Sequence, residues 1–503
     1  MTTFLIGLAI LFVGGAVYGK ICEGIMKPDD RKTPAYVKTD GVDYVPMKTW
    51  RNSLINLLNI AGTGPILGPI QGILFGPVAF ILIPIGNIFG GALHDYFSGM
   101  LALRNNGAQM PELVKKYAGT SVYKIYNVFI CLLMLLVGAV FIYTPGDIAA
   151  TQVFGFSGLA TDPTTWIVYG VIFLYYLFAT MFPIDKLIGK IYAFFGAILL
   201  FSAIGIFCGL FLRAYQLPNL TIETLTAGHP FGQKLIPMFF VTVACGIVSG
   251  FHSTQTAIIS RNVTRESQGR TTFYNMMLLE GFIAMIWAAA AIGAVSKGLG
   301  FVDAEGVFIS GPELLQYNAP RVIGIVANDM LGSIGGMIAI LGVIALPITS
   351  GDTALRSLRL MISDFIKLDQ KPAANRVKIC APVFLLVIGI LVWAKFDANG
   401  FNTLWRYFAW SNQTIAIFAF AIISIYLLGR GMKGAAMMSL IPGTWYAFIT
   451  FTFICNAAIG FNIPLNISYI LGLVFAAVYA ALVYRKGVNM REAKTPLEAE
   501  PSY

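Results

Sequence analysis

Residues 59–72 read Asn59-Ile60-Ala61-Gly62-Thr63-Gly64-Pro65-Ile66-Leu67-Gly68-Pro69-Ile70-Gln71-Gly72. They lie inside an apolar segment, 53–75, long enough to cross a bilayer, which takes about 20 residues of helix. Four glycines and two prolines fall within eleven of these residues. Pro65 removes a backbone donor and clashes with the preceding turn, and Pro69 repeats both effects one turn later. One continuous helix does not fit this segment, and a break is expected near Gly62–Pro65. In lipid, freed backbone groups are tolerated only where they are buried in protein or line a cavity. The half-helix beginning near Pro65 then turns N–H groups and a positive dipole end into the protein, which suits a carboxylate. On this reading Gly62, Thr63, Gly64, Pro65 and Gly68 are candidate substrate-binding residues. Close helix packing through small residues is the other reading of the same pattern.

The rest of the 503-residue chain fits a protein that lives in lipid. It is 57% hydrophobic and 12% charged, about half the charge of an average soluble domain, with a mean hydropathy of +0.75. Soluble enzymes, secreted disulfide scaffolds and disordered chains are excluded, and a polytopic α-helical membrane protein remains. Long apolar runs also exclude a β-barrel, whose strands are short and alternating. The net charge of +10 belongs to loops of a membrane protein rather than to a nucleic-acid surface. The six cysteines show no CxxC spacing and read as small buried apolar residues, so no metal site and no cofactor is expected.

Thirteen segments qualify as spans: 2–19, 53–75, 77–103, 121–145, 164–183, 188–212, 235–259, 271–296, 330–354, 378–395, 402–428, 436–458 and 464–484. With the first loop placed inside, 28 of the 34 Lys and Arg residues fall on the inner side. The positive-inside rule requires such a split, and one miscounted span would scramble it. The N-terminus is then outside, and the tail 485–503 is cytoplasmic, short, polar and disordered. Residues 1–484 form a single transmembrane domain.

Polar residues inside spans are costly and mark functional candidates. The seventh span carries Ala244-Cys245-Gly246-Ile-Val-Ser249-Gly250-Phe251-His252, a second glycine-interrupted segment. Ser249, Gly250 and His252 are candidates to complete a substrate pocket, with His252 read either as lining the site or as bonding a neighbouring carbonyl. Gly246-x-x-Ser249-Gly250 is not a G-x-S-x-G elbow, so a hydrolase is disfavoured and no catalytic residue is assigned. Asp95 lies in the inner half of the third span, where Arg104 reaches it only by snorkelling. Glu280 lies in the middle of the eighth span. The ninth ends in Thr349-Ser350-Gly351-Asp352-Thr353. The hydroxyls of Thr349, Ser350 and Thr353 share a helical face, where hard oxygens suit Na⁺, and Asp352 suits a proton or an i,i+4 pair with Arg356. Asn412 and Gln413, neutral and near mid-membrane in the eleventh span, bind either a ligand or a neighbouring helix.

The two interrupted spans lie five apart in helix order and run in opposite directions. Five-helix units in inverted orientation are the plan of many secondary transporters, and paired interrupted segments point to their binding site. Repeat one is then about 53–212 and repeat two about 235–428. Helix 2–19 and the helices of 436–484 are peripheral.

At these residues the sequence resembles the carbon starvation protein A (CstA) family, in its compact branch. The resemblance runs through Thr33-Pro34, Asp40-Gly41-x-Asp43-Tyr44-Val45-Pro46, Ile60-x-Gly62-x-Gly64-Pro65, Gly91-x-x-His94-Asp95-Tyr96, Arg104-Asn-Asn-Gly107, Ala244-Cys245-Gly246, Leu279-Glu280, Asp352 with Arg356, and Ser411-Asn412-Gln413. It differs from the longer members around Asp352, where the order is Asp-Thr-Ala-Leu-Arg, and at Arg406 after Leu404-Trp405. The resemblance implies an inner-membrane transporter of peptides or pyruvate tied to nutrient limitation. It also implies a fold of the amino acid–polyamine–organocation, leucine-transporter-like type. The combined expectation is ion-coupled symport of a small carboxylate by alternating access, with Asp95, Glu280 and Asp352 as proton-coupling candidates. The partners expected are a small-molecule substrate and the lipid bilayer. A Na⁺-coupled amino acid transporter and a nutrient-binding membrane sensor are the alternatives. The sensor is disfavoured by the lack of an output domain, and direct ATP drive by the lack of a Gly-Lys-[Ser/Thr] motif.

Overall fold

The computed structural model describes every residue except 42, 182–184, 304–305, 371 and 501–503; the side chains of 185–193, 364 and 373 also lie outside the described part. The inner-side charges Lys186, Lys190 and Lys371 therefore fall outside it.

Among the described residues eleven helices are long and apolar enough to cross a membrane, or twelve when the bent pair Thr49–Ile60 and Gly64–Phe75 counts as one span. The expected third span is present as an unbroken helical run, Ala79–Gly86, Asn87–Ala92 and Leu93–Arg104. Its Asn87, His94, Asp95 and Arg104 make it more polar than the eleven. By length and hydropathy alone the count of thirteen is thus not reached.

The helix anticipated at 330–354 extends over Ala319–Ile366. A hydropathy window registers only the part that lies in lipid, while the flanking turns are polar. The connection before it holds a short antiparallel hairpin, Gly300–Val302 with Phe308–Ser310, and a helix, Gly311–Tyr317.

Both glycine-interrupted spans are broken. The first bends by 49° between Ile60 and Gly64. The second passes from Leu235–Val243 through Ala244–Gly246 to a new helix at Gly250–Ser260. The broken helices are central: every residue of Gly64–Gly72 is buried, and Leu235–Ser260, Glu266–Ser296 and Gly400–Gly429 are the most buried helices of the eleven. Leu465–Glu492 is the least, with Leu473, Val474 and Leu482 turned outward, as befits a lipid-facing helix.

The connections gather into two sets. The N-terminal ammonium bonds the Leu217 carbonyl at 2.7 Å. Near this end Gln152 Nε2 donates to the Pro320 carbonyl, Lys395 pairs with Asp147, and Gln71 donates to the Gln316 carbonyl. At the other end Arg104 pairs with Glu266, Arg270 with Glu23, and Arg261 donates to the Gly107 carbonyl. Helix Thr2–Met26 runs from the first set to the second, where Met26 lies against Tyr426.

The tail departs from expectation. Residues 485–492 continue the last helix, and the stretch beyond it docks on the bundle instead of hanging free. The Ala499 N–H donates to the Arg104 carbonyl, Tyr117 donates to the Leu497 carbonyl, and Glu498 pairs with Arg31 and Arg104.

Candidate functional site

The first break leaves backbone carbonyls without a following turn. Ser350 Oγ, from helix Ala319–Ile366, lies 3.2 Å from the Leu58 carbonyl and 3.3 Å from that of Asn59. The ninth span therefore sits directly against the first break. Thr349 and Thr353 turn their hydroxyls onto the carbonyls of Leu346 and Thr349 in their own helix. Asp352 Oδ2 accepts from the Tyr175 hydroxyl at 3.1 Å, and Arg356 donates to the Ala179 carbonyl. Beside the break, Asn59 Oδ1 and Thr63 Oγ1 are buried oxygens with no hydrogen-bond partner among the described residues.

Gly64 and Gly68 do not face open space. A Cβ on Gly64 would come within 2.4 Å of Cys245 Cβ and Sγ, and one on Gly68 within 2.5 Å of the Val243 carbonyl oxygen. The two broken helices thus touch at their breaks. The N–H groups of Ile66 and Leu67 close back onto the Thr63 carbonyl, and Pro65 has none. Among the described residues no side chain caps the new helix end, and Gly62 packs on the Phe141 ring.

The second break is held by side chains from two other helices. Asn412 Oδ1 accepts the Phe251 N–H at 2.8 Å and the Ser249 hydroxyl at 3.1 Å, while its Nδ2 points to Cys245 Sγ. This is N-cap chemistry supplied from a different span. Gln413 Nε2 donates to the Phe240 carbonyl. Of their two sequence readings, Asn412 and Gln413 take the helix-binding one here. Gly250 lets the new helix approach the Asn412 carbonyl, which a Cβ would meet at 2.4 Å. On the opposite side Asn87 Nδ2 donates to the carbonyls of Gly246 and Met277. Asn87 opens a π-helical turn, Asn87–Ala92, a local distortion frequent at functional sites.

From the helix beyond that break, His252 reaches two carboxylates. Its Nδ1 lies 3.0 Å from Asp95 Oδ2 and its Nε2 lies 3.4 Å from Glu280 Oε2. His94 Nδ1 lies 2.8 Å from the other Asp95 oxygen. All four residues have zero solvent exposure. Arg104 is not the partner of Asp95; it pairs with Glu266 at 2.8 Å and Glu498 at 3.1 Å. Three helices thus converge on one buried line of ionisable groups, His94–Asp95–His252–Glu280. Two buried carboxylates without cations are expensive in a low dielectric. At 3.4 Å the His252–Glu280 approach is a contact and not a hydrogen bond: His252 Nε2 and both Glu280 oxygens are buried without a hydrogen-bond partner among the described residues.

The structure therefore brings Asp95, His252 and Glu280 together, and separately joins Ser350 to the first break. Sequence reasoning missed the roles of His94 and Asn87, whose one signal was polarity within an apolar run, and the pairing of Arg104 with Glu266. Among the described residues no group of three or more His, Cys, Asp or Glu side chains is arranged to hold a metal ion.

Comparison with known proteins agrees with this architecture. The sequence matches the family of carbon starvation protein CstA over residues 1–145, 142–304 and 315–453. An uncharacterized membrane protein of Haemophilus influenzae is 39% identical over 60% of this chain and 94% of its own. The peptide transporter CstA of Helicobacter pylori is 25% identical over 85% of this chain and 77% of its own. The pyruvate/proton symporter BtsT of Escherichia coli is 27% identical over 60% of this chain and 51% of its own. Among solved structures, a manganese transporter of Eremococcus coleocola superposes with a TM-score of 0.56 at 10% identity, covering 90% of this chain and 99% of that one. At that identity the likeness concerns the fold alone. The named relatives are transporters and not enzymes, and this polytopic membrane protein belongs to the carbon starvation protein CstA family of transporters.

Proposed function

We propose that the protein imports a small carboxylate nutrient, a peptide or pyruvate, across the inner membrane by proton-coupled symport. The observation that carries this reading is the contact of His252 with Asp95 at 3.0 Å and Glu280 at 3.4 Å, in the first turn of the half-helix that follows the second break. Substrate binding at the breaks moves backbone there, and His252 transmits that movement to the acid groups. Family relatives named as a peptide transporter and a pyruvate/proton symporter support both the substrate class and the ion. The substrate carboxylate is assigned to the Gly62–Gly68 break once Cys245 and Val243 withdraw from it, with Ser249 and Gly250 opposite.

The topology proposed with it has thirteen crossings, the N-terminus outside and the C-terminus cytoplasmic. Its support is the segregation of loops into two sets at opposite ends and the placement of both N-terminus-proximal and tail-proximal groups accordingly. Repeats at 53–212 and 235–428 account for two breaks that meet face to face.

A second reading, Na⁺ coupling, is favoured by Ser350 on the Leu58 and Asn59 carbonyls beside Asn59 Oδ1 and Thr63 Oγ1, which have no hydrogen-bond partner among the described residues. Hard oxygens of this kind suit a small cation. Counterflow in proteoliposomes decides the substrate: labelled pyruvate or a labelled dipeptide should exchange against its unlabelled form. Exchange of neither, in protein that still binds both, would turn the assignment towards a sensor.

A further inference from the structure

At the tail end of the bundle Glu498 sits in a cluster that resembles a ligand site. Its Oε2 lies 2.9 Å from Arg31 and its Oε1 lies 3.1 Å from Arg104 and accepts from the Tyr426 hydroxyl. Arg430 donates to the same hydroxyl at 2.9 Å. The Arg104 side chain is 2% exposed, and Glu266, with zero exposure, takes its other edge. A cavity of about 430 Å³ adjoins the cluster, lined by Lys27, Asp29, Arg430 and Thr495 together with Arg31, Arg104 and Glu498. Two arginines and a phenol converging on one carboxylate is charge-assisted recognition, strong and directional. Without Glu498, Arg104 would keep Glu266 and the Lys27 carbonyl, but the Tyr426 hydroxyl would lose the carboxylate it donates to, a costly state for a buried donor.

The elements joined there matter. Arg104 ends the helix that carries Asp95, Glu266 begins the segment that leads to Glu280, and Tyr426 lies near the end of the helix that carries Asn412. These three helices surround the second break. The tail is fastened further by Ala499 N–H on the Arg104 carbonyl and by Leu497, whose side chain packs on Gly429.

We propose that this cluster is an anion-binding site whose built-in occupant is the Glu498 carboxylate, so that the tail is a latch. While seated it holds together the ends of the three helices around His252, and it must leave before that end of the bundle opens. A small carboxylate is the class of free ligand that competes for the site. The consequence for transport rests on the transporter reading above; the docking itself does not.

The test uses the full-length protein in proteoliposomes, with hydrogen exchange on tail residues 493–500 and initial uptake rates measured side by side. Wild type should protect the Ala499 amide. Glu498→Gln should speed exchange about tenfold or more, the factor that about 1.4 kcal/mol of lost docking carries, while Glu498→Asp should be intermediate. In an Arg31→Gln background the Glu498→Gln effect should shrink. Acetate at high concentration should speed exchange in wild type and leave Glu498→Gln unchanged. Uptake should rise severalfold in Glu498→Gln. An unprotected wild-type tail would overturn the latch and leave the transporter reading intact. A released tail with unchanged uptake would overturn its gating role. If wild type carries no substrate, the transport reading fails while exchange still decides whether the site holds the tail.

Discussion

Asn412 caps a helix that is not its own: its side-chain oxygen accepts the Phe251 N–H at 2.8 Å across two spans. A broken helix in lipid has no water to satisfy its first N–H groups, so a neighbour must do it. Asn412→Ala should therefore cost about 1–2 kcal/mol, at the upper range for an N-cap, read as a lowered melting temperature in detergent. Loss of the cap also frees Ser249. A variant as stable as wild type would mean that the second half-helix does not depend on this cap.

The two breaks touch through Gly64 and Cys245, and through Gly68 and the Val243 carbonyl. Gly64→Ala should destabilise by about 1–3 kcal/mol through overpacking, and Cys245→Gly should restore much of it, because the clash is with a side chain. Gly68→Ala meets backbone and should not be rescued by trimming any side chain. Thermal melts of Gly64→Ala and Gly68→Ala, each with and without Cys245→Gly, check this. Equal rescue of both glycine variants would contradict direct contact of the breaks.

The breaks themselves were legible in the sequence, because glycines cluster with Thr63 and Pro65 at the first and with Ser249 at the second, whereas single prolines such as Pro84 and Pro145 sit inside helices that continue. The long apolar runs were equally legible, since length and hydropathy report on lipid directly. Partners were not. Arg104 is near Asp95 in sequence, yet Asp95 is met by His252, which lies 157 positions away. No periodicity encodes that meeting. The tail was misread for a related reason: Leu497 and Glu498 stand in a short polar stretch with no pattern, and only their receiving surface orders them.

The docked tail should resist moderate acid. Burial pushes the Glu498 carboxyl up, but the Tyr426 hydroxyl, Arg104 and Arg31 outweigh it and hold it below the ordinary glutamate range. Asp29, bonded to Arg31, is pulled down to about 2. Arg430, Lys116 and Glu266 complete the charged surroundings. A lowered folded-state value means that docking contributes fully above the ordinary glutamate range, about 4.3, and is lost as pH falls through the lowered value. Exchange at Ala499, corrected for intrinsic rates, should be flat from pH 7.5 to 5 and accelerate only below about pH 4. Release near pH 6.5 would show that another group controls the tail.

His94 donates to or accepts from Asp95 alone, since its Nε2 is buried without a partner among the described residues. His94→Asn retains one polar contact to Asp95 and should slow uptake about tenfold or less. His252→Asn breaks the link between both acids and should remove coupling altogether, at the upper range for a lost general acid–base group of about 10²–10⁴. Initial uptake rates with and without a proton gradient separate the two. Equal losses would argue against His252 as the central member of the line.

Proton coupling is tested by uptake of labelled pyruvate into proteoliposomes under an inward proton gradient with no Na⁺ present. Wild type should accumulate pyruvate above the external concentration. Glu280→Gln should equilibrate pyruvate without accumulating it, because exchange persists while coupling is lost. Absence of gradient-driven accumulation in wild type, or full accumulation by Glu280→Gln, would contradict proton coupling through His252 and Glu280.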